Sequence, residues 1–172
     1  KFTPLENGGF KGNQEKVEFI AVYGFCNLLE FVNLFSKSLG PKFLVILNQI
    51  TEKIHSTIIY HSGIVNKLEN NSFLFIWKID KIHIASVNET ILKQSNELSN
   101  FIDNIYVAMI EISITLHFEF EKIAVEHKEL VQKIKKPYGL SLHLGPATET
   151  YLGSTFKIAV SHFSSCANFT TR

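Results

Sequence analysis

The chain has 172 residues, enough for one domain that buries most of its apolar surface without disulfides or a structural metal. Its formal charge is +1, which excludes the strongly basic balance of a nucleic-acid binder held by bulk electrostatics. Cys26 and Cys166 lie far apart and in no ligand or redox spacing, so both read as reduced intracellular thiols.

Lys1 to Gln14 is polar, with Pro4 and the pair Gly8-Gly9, and reads as a linker over 1–15 with little structure of its own. The domain is expected over 16–172. Its opening on Lys1 and its stop at Arg172 in mid-pattern suggest a piece of a longer protein. Val17 to Phe25, rich in β-branched and aromatic residues, predicts a central strand. From Leu28 to His61 apolar residues recur at helical spacing (Leu44, Leu47, Ile50, Ile54, Ile58), and Gly40-Pro41 divides the run into two helices.

Gly63 ends the second helix. Ile64 to Lys67 and Ser72 to Lys78 then predict a hairpin around Glu69-Asn70-Asn71. Ile91 to Ile134 is helical by pattern, with an interruption expected near Glu119. Gly139 to His143 and Tyr151 to Ile158 suggest another hairpin, and Ser164 to Arg172 a last helix. The order β-α-α-β-β-α-β-β-α predicts an α+β fold, an elaborated ferredoxin-like sandwich with a mostly antiparallel sheet and helices on one face. The longest apolar stretches, such as Phe73 to Trp77, are too short to span a bilayer, and no signal peptide opens the chain; no membrane contact is expected from this segment.

Five segments resemble motifs of class III adenylate and guanylate cyclase domains, in family order. Phe25-Cys26-Asn27-Leu28-Leu29-Glu30-Phe31 resembles F-x-D-I-x-x-F, with Asn27 in place of the aspartate. His61 to Leu74 is similar to the H-G-G-x-x-x-K-x-x-G-D-x-F-L hairpin, with Asn70 for the glycine and Asn71 for the second aspartate. Gly139 to Ser154 resembles G-L-H-x-G-W-A-I-E-G-x-I-G-S, with Pro146 for the tryptophan. Lys157 to Ser164 resembles K-I-D-A-S-Y-L-S of a protist-type branch, with Ala159 for the aspartate. Ala167 to Arg172 is similar to V-N-x-A-x-R and keeps Asn168 and Arg172. The resemblance implies the class III cyclase fold.

In that family two aspartates bind two divalent cations that activate the ribose hydroxyl and neutralise the triphosphate. Mg²⁺ and Mn²⁺ favour anionic oxygen, so Asn27 and Asn71 at the ligand positions imply no metal and no turnover by the domain alone; Mg or Mn enters only if a partner supplies ligands. Glu30 and Glu69 lie near in sequence and read as solvated charges rather than substitutes. The retained set implied by the resemblance is catalytic Asn168 and Arg172 with nucleotide-binding Lys67 and Ser161. Their plain alternatives are a helix cap, a surface arginine and a solvated strand lysine.

None of the seven histidines forms an H-x-x-x-H or H-E-x-x-H pair, so zinc is not expected. Two functions follow. One is an inactive pseudo-cyclase acting as a dimerisation, scaffold or regulatory module of a larger intracellular protein, in the cytoplasm, a cilium or on the cytosolic side of a membrane. The other is the nucleotide-positioning half of a heterodimeric cyclase taking ATP or GTP. The partner expected for either is another cyclase-like domain or a large-complex subunit, meeting a broad, partly apolar seam on the sheet side.

Overall fold

The computed structural model describes residues 3–4, 10–11, 17–69, 71–79, 90–128, 137–154 and 157–170. Two short strands, β1 (Thr3–Pro4) and β2 (Phe10–Lys11), pair antiparallel inside the segment expected to lack structure. The domain follows as β3 (Val17–Asn27), α1 (Leu29–Leu39), α2 (Pro41–Tyr60), β4 (Ile64–Glu69), β5 (Ser72–Ile79), α3 (Thr90–Glu126), β6 (Gly139–Ser154), β7 (Lys157–Phe163) and α4 (Ser165–Thr170). The strands from β3 onward form one antiparallel sheet in the order β4-β5-β3-β6-β7.

Alternation along the strands sends Val22 and Cys26 of β3 and Phe73, Phe75, Trp77 and Ile79 of β5 to one face. That face meets Phe31 and Phe35 of α1, Phe43, Ile50, Ile54 and Ile58 of α2, and the inner side of α3, and together they make the main core. The α2 stripe starts at Phe43 rather than Leu44, which is exposed. Ala21, Tyr23, Ile76 and Ala147 point the other way into a smaller cluster joined by Ala167 of α4.

The hinge between α1 and α2 needs Gly40, whose φ is 53°, and Pro41 presets the first turn of α2. At the other end of α2, the Ser62 N–H donates to the Ile59 carbonyl and the Gly63 N–H to that of Ile58, a Schellman closure. Ser62 takes its left-handed position at φ 60°. Gly63 is required for space. A Cβ there would lie 2.6 Å from Nε1 of Trp77, and one on Gly24 2.8 Å from Cζ3 of the same ring.

Three expectations are corrected. α3 runs unbroken through Glu119, because that buried carboxylate is met by Lys53 of α2 at 2.6 Å and Lys122 at 2.9 Å, leaving the helix nothing to break for. The stretch Asn96–Glu126 is also long and apolar enough, by length and composition, to cross a membrane, where the sequence reading found none; its core face packs on the sheet. β6 is one continuous strand through Gly145-Pro146 rather than a short strand followed by a loop. It pairs with β3 over Gly139 to Glu149, while β7 joins only from Thr148 onward, so Pro146 sits where β6 is an edge on that side.

Gly63→Ala should therefore lower stability by about 1–3 kcal/mol, since the rigid indole must move to admit a methyl group. Gly139→Ala, whose added Cβ would meet nothing closer than 4.0 Å, is the control and should shift a urea unfolding midpoint much less.

Candidate functional site

The sheet brings the two expected metal-ligand positions together. Asn27 ends β3, and Ser72, its partner across the ladder, begins β5 directly after Asn71. The Asn27 Oδ1 accepts the Leu29 N–H at 2.8 Å and the Ser72 hydroxyl at 3.3 Å. The first of these is an Asx turn that satisfies one of the orphan donors opening α1. Asn71 has φ 61°, and its carbonyl accepts the Leu28 N–H at 3.1 Å. The left-handed residue of the turn is thus Asn71; Asn70, where a glycine was expected to be replaced, lies outside the described residues. Asparagine tolerates that conformation better than most side chains.

These donors do not fit a pair of divalent cations. Both side chains are neutral amides, and the carbonyl of Asn27 already takes two hydrogen bonds. Among the described residues no three His, Cys, Asp or Glu side chains gather into a metal-binding set. Glu30 is exposed in the first turn of α1, where a carboxylate favours the helix dipole. Cys26 is buried, and burial pushes its thiol up to about 12, so it supplies no nucleophile.

Of the expected nucleotide contacts, Ser161 lies in β7 opposite Thr150 and is half-buried. The side chains of Lys67 in β4 and Asn168 in α4, and the whole of Arg172 and Glu69's side chain, lie outside the described residues. What the described residues do show is a polar cluster that the sequence reading missed, on the sheet face that carries α4. The Glu149 carboxylate pairs with Lys78 of β5 and lies 3.0 Å from Nε2 of His162. Nδ1 of His162 in turn lies 3.2 Å from the side-chain amide of Asn66 in β4. Phe19 stands edge-on to the imidazole and receives the Lys78 ammonium over its ring.

β4 and β7 are the two edges of the sheet, so the Asn66 to His162 contact closes one edge onto the other across this face. The register shift between Val65 and Lys67 is the bulge that frees Asn66 to turn inward. The closure passes beside Lys67 and Ser161, each one residue from a member of the cluster. By strand alternation Ser161 points away from the face His162 occupies. A period-two reading could have found Lys78, which interrupts the apolar alternation of β5. The edge-to-edge partners have no signal in local sequence.

Lys78 holds the Glu149 carboxyl below its ordinary value, outweighing burial. Burial pushes His162 below its usual 6.5, against the opposing pull of Glu149 and with help from the Lys78 charge. The two ring nitrogens thus face two oxygens, Nε2 the Glu149 carboxylate and Nδ1 the Asn66 Oδ1, with the donor at each set by the tautomer.

No sequence-family model matches the chain, and no curated protein matches it. Solved structures do. A bacterial light-regulated adenylyl cyclase aligns with 92% of this chain at 15% identity and a TM-score of 0.59, and this chain spans only 40% of that one. The guanylyl cyclase Cya2 aligns over 92% of this chain and 69% of its own at 16% identity, with a TM-score of 0.57. The adenylyl cyclase CyaB from P. aeruginosa does so over 92% and 72% at 14% identity, with a TM-score of 0.55. The mixed architecture of helices on a curled antiparallel sheet is that of a nucleotide cyclase catalytic domain. More particularly, the neighbours are class III adenylyl and guanylyl cyclase domains.

Both Glu149 and His162 have native values below their unfolded ones, so each contributes stability that is present above the unfolded value and lost on acidification. His162 acts first, as pH falls below 6.5. Urea midpoints measured downward from pH 8 should fall less steeply between about pH 6.5 and 5 in His162→Gln than in the parent. Asn27→Ala should lower stability by about 1 kcal/mol, whereas Asn27→Asp keeps the acceptor and should not.

Proposed function

We propose that this chain is a catalytically inactive cyclase homology domain, of the protist-type branch, that serves as a dimerisation, scaffold or regulatory module of a larger intracellular protein. The observation that carries the reading is the state of Asn27: its carbonyl is spent on starting α1 and on Ser72, at the place where the resembling family holds a metal-binding carboxylate. Asn71 is likewise engaged through its backbone. Removing two anionic ligands forfeits charge-assisted contacts of about 1.5–3 kcal/mol each. Metal stabilisation of a phosphoryl transition state is lost with them.

The sheet face opposite α1, α2 and α3 supports the scaffold reading over independent nucleotide turnover. Its central residues Ala21, Tyr23, Ile76 and Ala147 are already buried, with α4 packed beside them through Ala167. A partner on that side, another cyclase-like domain or a complex subunit, meets α4 and the strand rims rather than bare sheet.

The purified chain should make no cyclic nucleotide from ATP or GTP with Mg²⁺ or Mn²⁺; measurable turnover by the chain alone sinks the proposal. Turnover appearing only on mixing with an aspartate-bearing cyclase domain would instead favour the heterodimer half that positions nucleotide through Lys67, Asn168 and Arg172. Asn27→Asp together with Asn71→Asp should raise Mn²⁺ affinity, read by calorimetry, because the strand ends already hold the two positions together.

A further inference from the structure

α3 is apolar on two opposite sides. Ile105, Ala108, Ile112, Leu116 and Ile123 are buried in the core. Val107, Ile110, Ile114, Phe118 and Val125 are exposed, Phe118 at 60% and Val125 at 71%. At 3.6 residues per turn the exposed five fall within roughly 80° of arc, centred opposite the core face. A helix apolar on all sides is the mark of one that is covered on all sides. Among the described residues nothing covers this stripe.

The charges along the stripe select the occupant. Asp103 and Glu121 are exposed on α3 beside it, while Glu111 is held by His61 and Lys122 turns off the stripe to Glu119. Asp103 and Glu121 share one helical azimuth with the stripe, 18 residues apart and so roughly 27 Å along the axis. A second copy docked antiparallel with Ile110 against Ile114 would set Asp103 beside Glu121, carboxylate on carboxylate. An anionic lipid surface would meet the same two acids. Both are opposed by charge.

We infer that the outer face of α3 is a docking surface for an amphipathic helix of another protein, one whose apolar stripe is bracketed by lysine or arginine about five turns apart. The acids fix its register, and the stripe between them supplies the buried area. The inference stands apart from the scaffold proposal, since the surface lies on the helical layer and away from the α4 face.

The test uses the whole chain and two synthetic helical peptides of the same apolar stripe, one with Lys at positions 18 residues apart and one with Glu at both. Fluorescence anisotropy should show saturable binding of the Lys peptide, at least tenfold tighter than the Glu peptide and weakened by salt. Asp103→Lys with Glu121→Lys should invert that preference, and Ile114→Gln should weaken both peptides while leaving the circular-dichroism melt unchanged. Equal affinity for the two peptides, or binding of neither, overturns the inference. So does a concentration-dependent dimer in sedimentation that Ile114→Gln abolishes, or binding of the chain to phosphatidylserine vesicles in preference to the Lys peptide. Any of these outcomes leaves the cyclase assays independent, because none of the substituted residues touches Asn27 or Asn71.

Discussion

The indole of Trp77 is the constraint around which this domain closes. It is fully buried in β5, lies over Gly24 of β3 and Gly63 at the start of β4, and donates its N–H to the His61 carbonyl at 3.0 Å. One side chain therefore fixes the strand spacing, the exit of α2 and the entry to β4. His61, itself buried, reaches from that corner to Asn104 and Glu111 of α3, tying the long helix to the same point. A large aromatic set against two glycines leaves no slack, since interiors are packed as densely as organic crystals. With the corner fixed, β3 and β5 must end side by side, and that puts Asn27 next to the Asn71 turn.

That convergence is geometry without the charge that cyclase chemistry needs. In the resembling family it gathers two carboxylates; here it places two asparagines, one engaged through its side chain with Leu29 and Ser72 and the other through its backbone carbonyl with Leu28. An asparagine can start a helix and hold a left-handed turn without the repulsion that two aspartates at adjoining strand ends would bring in the absence of cations. The substitutions thus suit the fold. The other end of the sheet follows the same pattern: where an open face would admit a ligand, Asn66, His162, Glu149 and Lys78 satisfy one another and draw the edges together.

What could be read in advance followed from the range of the interactions. Local periodicity located the strands and helices from Val17 to Ile79 almost residue for residue, because amphipathic spacing and the Gly40-Pro41 break act over a few residues. The reading failed where distant partners decide. Glu119 looked like a helix interruption until Lys53, far away in sequence, neutralised it. Gly139 to His143 and Tyr151 to Ile158 read as the two strands of a hairpin, yet β3 holds the stretch between them in register as far as Glu149. The Asn66 to His162 closure links residues 96 positions apart, and no window on the sequence contains both. The motif resemblance crossed those distances only because it carried a fold with it, and it located Asn27 and Asn71 while leaving the edge closure unseen.

The outer face of α3 completes the physical picture. A helix of 37 residues is longer than the five-stranded sheet needs to cover its core, and its inner face alone would suffice for that task. Apolar side chains on the far side carry an aggregation liability in a free domain, and acids set among them limit it by repelling like surfaces. Those same acids narrow the surfaces that can bind to ones of opposite charge. The proposed module and the inferred docking face thus draw on separate parts of the domain, the strand ends at Asn27 and Asn71 and the acid-flanked outer side of α3, so neither depends on the other's chemistry.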